Sequence, residues 1–165
     1  MKEEFDVTLK KEDMFRFNMY HTYHSFQGLF SLLMVVFVMG IAVYTWGELS
    51  LMYSVICILM SIVILFYIPL NLWMHAKIQL ERTEALRNTQ HFTIDEKGIT
   101  ISQNGEEATL EWEKIYKVVE TKSSVLVYSS RVNAYVFPKR DMGTSFEGVC
   151  TMMREHLESY RLKLK

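Results

Sequence analysis

The sequence predicts a membrane α-helical hairpin carrying a small antiparallel α+β domain. Two adjacent apolar runs, separated only by Gly47 and Glu48, contain no Asp, Glu, Lys or Arg. Beyond Arg87 the apolar residues change from helical spacing to strand alternation. A closing segment then returns to apolar residues at threes and fours.

The N-terminal stretch, 1–25, opens with Phe5, Val7 and Leu9 in alternation, the pattern of a short strand. An amphipathic helix follows, with Asp13 placed to start it and Phe15, Met19 and Tyr23 four residues apart. The first apolar run, 26–46, is long enough to cross a hydrocarbon core of about 30 Å at about 1.5 Å per residue. It is too long and too far from Met1 for the apolar part of a signal peptide. The second run, 49–74, is longer, and Pro69 predicts a kink or an end late in it. Phe26, Tyr44, Trp46, Tyr53, Tyr67 and Trp73 sit where aromatic belts form. Lys10, Lys11 and Arg16 precede the first run, and Lys77, Arg82 and Arg87 follow the second, whereas the connection has no Lys or Arg. The positive-inside rule therefore predicts a multi-pass protein of the cell membrane with both termini cytoplasmic.

Small residues line one face of each run. Gly28, Ser31, Val35, Val38 and Ala42 mark the first, and Ser50, Ser54, Cys57 and Ser61 the second. Such stripes let backbones approach closely in lipid, either within the hairpin or between copies of the chain in a homo-oligomer. The absence of acidic and basic residues within the runs argues against a carrier or pore built from one copy.

A juxtamembrane stalk is expected over 75–88, and the C-terminal domain over 89–165. Strands are expected at Phe92 and Ile94, over 99–102, 108–112, 115–120, 125–128 and 133–137, with Pro138 ending the last. Asp95-Glu96-Lys97-Gly98 reads as a turn and Asn104-Gly105 as a tight hairpin. Thr144 and Glu147 have capping-box spacing, and a final helix carries Phe146, Val149, Cys150, Met153, Leu157, Tyr160 and Leu164 on one face. Five or six strands closed by one helix is the outline of a pleckstrin-homology-like half-barrel; pattern alone specifies a small α+β domain.

The formal net charge of −1 and the near balance of fourteen Lys/Arg against thirteen Asp/Glu after His75 give no footprint for nucleic acid. No nucleophile elbow, phosphate loop, metal motif or acid/base pair of carboxylates is visible, so neither an enzyme nor a cofactor is expected. His21, His24 and His75 lack nearby thiolates or carboxylates and are expected to be interface residues rather than metal ligands. Cys57 and Cys150 are expected not to pair, and Trp112 is expected in the core. Pro138-Lys139-Arg140, together with Arg131, is the candidate patch for lipid phosphates or a protein partner.

FDVTLKKEDMFRF at the N-terminus, the EKGI turn, the L-x-W-x-x-I run from Leu110 to Ile115 and Pro138-Lys139-Arg140 occur in an order that resembles the YcxB-like family of small bacterial membrane proteins. The resemblance implies a membrane anchor, a pleckstrin-homology-like cytosolic domain and an uncharacterised role. The expected function is a membrane-anchored cytosolic binding module. Its alternative is a bacteriocin or toxin resistance or immunity protein acting through the hairpin, by analogy with other bacterial two-span proteins.

Overall fold

The computed structural model describes residues 2–48 and 50–164, the Gln27 side chain apart. Leu49, where the second apolar run was expected to begin, lies outside the described residues, as do Met1 and Lys165 at the ends of the expected segments.

The chain is an α+β protein, with two four-stranded sheets and six helices among the described residues. Strand β1, Glu3–Val7, leads into α1, Lys11–Tyr23, whose first turn is closed by Lys10 N–H donating to Asp13 Oδ2 at 2.9 Å. Helix α2, Phe26–Tyr44, is capped by Ser25, which accepts from Gly28 N–H and donates to the Thr22 carbonyl. The bend is sharp: α1 and Gly28–Tyr44 differ in direction by 71°. It depends on Gly28, because a Cβ there would lie 2.0 Å from the Thr22 carbonyl oxygen.

Helix α3, Leu51–Arg82, packs beside α2. It is the one helix among the described residues long and apolar enough by itself to cross a membrane. At about 1.5 Å per residue its 32 residues extend about 48 Å. Pro69 does not end it. The turns beyond are held by tertiary packing: Phe15 meets Trp73 edge to face at 5.1 Å, Lys11 Nζ lies 5.3 Å from that ring's centre, and Ala76 is fully buried. The expected stalk is therefore mostly the end of α3, followed by the single turn α4, Glu84–Arg87.

Sheet A has the order β1-β2-β3-β4 and is antiparallel throughout, with β2 at Gln90–Asp95, β3 at Gly98–Gln103 and β4 at Glu106–Glu111. Its first strand precedes the apolar helices, so the domain is assembled from both ends of the chain. Phe5 lies opposite Phe92 in the ladder. The β3–β4 turn has Asn104 at φ 52° and Gly105 at φ 84°, the left-handed pair a tight hairpin requires. At the β2–β3 turn Asp95 Oδ1 accepts from the N–H groups of Lys97 and Gly98. Gly98 has φ 146°, and a Cβ there would lie 2.2 Å from the Leu110 carbonyl oxygen.

Sheet B has the order β7-β6-β5-β8, with β5 at Lys117–Glu120, β6 at Ser124–Tyr128, β7 at Ala134–Pro138 and β8 at Leu162–Lys163. Trp112 does not end a strand as expected; it opens a 3₁₀ turn, Trp112–Lys114, and its indole N–H donates to the Asp95 carbonyl at 3.0 Å. The EKGI turn and the L-x-W-x-x-I run thus brace each other. The one-turn helix α5, Lys139–Met142, precedes α6, Ser145–His156. Thr144 caps α6 without a side-chain hydrogen bond. The helix stops at His156, short of the expected Tyr160 and Leu164, because the tail instead pairs in parallel with β5, Leu162 opposite Val118.

The two sheets share one core. Phe137 of β7 sits 4.7 Å from the Phe92 ring and 5.3 Å from the Phe5 ring, centroid to centroid. Met14 of α1, Ala76 of α3 and Val149, Met152 and Met153 of α6 belong to the same cluster. Helix α1 and the end of α3 are therefore built into the domain.

Candidate functional site

The site grows from the junction between α1 and sheet B. Arg140, on α5, forms a bidentate pair with Asp13: Nη1 to Oδ1 at 2.7 Å and Nη2 to Oδ2 at 2.6 Å. Its Nη2 also donates to the Thr8 carbonyl, and its Nε lies 3.1 Å from Asp141. Asp13 keeps only 1% of its side chain exposed. Burial raises its affinity for a proton, but hydrogen bonds from Arg140 and Lys10 N–H, with the charges of Arg140 and Arg16, outweigh that and hold its carboxyl below the usual value. Farther along α1, His21 stacks near Tyr128 and His24 against Tyr20. Burial, then the charge of Tyr20, pushes the Tyr128 hydroxyl up to about 12.

Lys139 is also engaged. Its ammonium pairs with Glu120 and lies 4.7 Å from the centre of the Phe146 ring, while its N–H donates to the Ser123 carbonyl. Arg131 is exposed in the turn between β6 and β7. The structure does not gather Arg131, Lys139 and Arg140 into one patch; it uses the last two to join α5 to α1 and to β5.

Alongside this junction is a cleft of about 470 Å³ between α1 and the β5–β6 turn, lined by Asp13, Arg16, Phe17 and Tyr20 on one side and 121–124 and Leu126 on the other. Arg16 and Lys122 are exposed, and neither makes an ion pair or hydrogen bond among the described residues. Sequence reading missed this pair because the two cations lie far apart in the chain; the only local signal was the helical spacing of Asp13, Arg16, Phe17 and Tyr20. A second cavity, about 740 Å³, lies beside Trp112 and His156, whose rings stack at 4.8 Å, and is rimmed by charges of both signs, including Glu111, Glu113 and Arg161. Among the described residues no group of three or more His, Cys, Asp or Glu is assembled as a metal ion requires.

Between α2 and α3, Gly28, Ala42, Ser54 and Ser61 are buried, Ser31 and Cys57 are half-buried, and Ser50 is exposed. Ser31 and Ser61 donate to carbonyls of their own helices, Gly28 and Cys57. Helices α2 and α3 pack against each other, and Gly28 packs against the Thr22 carbonyl at the bend from α1.

Compared with known proteins, no curated protein matches the chain. The family described as YcxB-like protein matches residues 94–148, which run from the end of β2 through β7 into α6 and leave out β1, β8 and every helix before α5. Over that stretch, which holds the Gly98 turn, Trp112, Lys139 and Arg140, the chain is similar to YcxB-like proteins.

Proposed function

We propose that the chain is a membrane-anchored binding module of the cytoplasmic face of the cell membrane. Helices α2 and α3 cross as a two-span hairpin, both termini face the cytoplasm, and a pleckstrin-homology-like half-barrel is seated on the bilayer through α1. There it engages lipid head groups or a protein partner. The observation that carries this reading is the shared core: Met14 of α1 and Ala76 near the end of α3 are buried with the sheets. A domain joined in this way keeps one face toward the bilayer and the other toward the cytoplasm. Two further features support it. Large apolar side chains such as Phe37 and Phe66 face outward along α2 and α3, far beyond what a water-facing surface carries. The β1–β2 ladder brings together the residues before α2 and after α3, which supports both termini facing one side.

The test is site-directed labelling of intact cells with a membrane-impermeant maleimide, in a chain with Cys57 and Cys150 replaced by Ala. Glu48→Cys is expected to label from outside, and Glu106→Cys only after the membrane is opened. Labelling of both positions from the same side, or release of the chain by an alkaline wash, would overturn the reading.

A further inference from the structure

We propose that the cleft between α1 and the β5–β6 turn binds the phosphate group of an anionic membrane lipid. This rests on the seating at the bilayer proposed above. The cleft presents Arg16 from the helix and Lys122 from the turn, two cations that line one space and make no ion pair or hydrogen bond among the described residues. The N–H groups of Lys122 and Ser123 have no backbone partner among the described residues. The only carboxylate in the wall, Asp13, is already neutralised by Arg140. A phosphate oxygen here meets donors and positive charge without an opposing acid. Phe17 and Tyr20 supply an apolar wall that suits the glycerol and upper acyl part of a lipid better than a bare hydrated anion. Placement argues the same way. Tyr20 lies one helical turn before Ser25, where the chain turns 71° into α2, so the cleft runs along the helix that leads into the apolar span.

The experiment uses the full chain in detergent. Short-chain phosphatidylglycerol is titrated, with short-chain phosphatidylcholine and inorganic phosphate as separate arms, and binding is read by native mass spectrometry. The variants are R16Q/K122Q and R131Q; among the described residues none of these side chains makes a hydrogen bond or an ion pair, and a melting curve of each checks that it is intact. Phosphatidylglycerol is expected to bind wild type and R131Q alike, and about tenfold more weakly for each cleft cation removed. Equal binding by R16Q/K122Q, or phosphatidylcholine binding as tightly, would overturn the proposal. Inorganic phosphate competing at equal affinity would replace the lipid with a soluble anion. The labelling experiment is independent: correct sidedness without lipid discrimination removes the cleft alone, and wrong sidedness with discrimination retained removes the seating alone.

Discussion

Arg140 and Asp13 stand 127 residues apart and meet through two hydrogen bonds, at 2.7 and 2.6 Å, with the carboxylate buried and the guanidinium partly open to solvent. The pair clamps α1 to α5, and so joins the helix that precedes α2 and α3 to the end of β7 in sheet B. Its charges give the clamp properties that an apolar contact would lack.

Removing one partner leaves the other exposed to the cost of burial without its compensation. Arg140→Ala is expected to destabilise the fold by about 3 kcal/mol, somewhat less than a fully buried pair at its upper range. Arg140→Lys keeps the charge, loses the fork and should fall between. The double change Asp13→Leu with Arg140→Met should recover most of the loss. Thermal unfolding of the detergent-solubilised protein measures all three.

The same pair sets a pH dependence. The Asp13 pKa is lower in the folded protein than its ordinary value of 3.8, so the pair's contribution is fully present above that value. It is lost as pH falls further, through the folded pKa. The excess of the wild-type melting temperature over that of Asp13→Asn should therefore be constant between about pH 5 and 8 and shrink only in stronger acid; a difference that changes with pH between about 5 and 8 would contradict the assignment.

Gly98 is held at φ 146° with the Leu110 carbonyl oxygen where a Cβ would sit. Gly98→Ala should cost about 2–3 kcal/mol, since backbone strain and a clash with main chain act together. Asn104→Gly, in a turn that already welcomes a left-handed residue, should be nearly neutral. Comparing the two by denaturant midpoint separates a braced turn from an ordinary one.

Trp112→Phe keeps the ring against His156 but removes the donor to the Asp95 carbonyl. A loss of about 1 kcal/mol is expected. A loss no greater than that of a conservative surface change would show that the indole N–H contributes nothing.

Short-range features were legible in the sequence. The apolar runs and the Asn104-Gly105 hairpin follow from patterns within one or two turns of chain. What escaped depends on distant partners. Nothing near Glu3–Val7 says that it pairs with Gln90–Asp95, and nothing near Leu162 says that it adds to β5 instead of extending α6. Lys139 and Arg140 looked like a free basic patch because Glu120 and Asp13 are remote in sequence, and charge type alone does not distinguish a ligand contact from a structural clamp. The cleft with Arg16 and Lys122 was hidden for the same reason.

The ladder between β1 and β2 has a consequence for the order in which the chain can be completed. The strand made first must wait for the strand that follows α3 before either has its partner, with the whole apolar pair synthesised in between. A copy whose two apolar helices left these strands on opposite sides of a bilayer would hold Phe92 and Ile94 in a sheet lacking its first strand, with Phe5 and Val7 stranded elsewhere. Such a copy displays uncovered apolar surface and an open strand edge, the features by which cellular quality control recognises unfinished proteins. On the two-span reading proposed above, folding of the domain thereby inspects the threading of the helices.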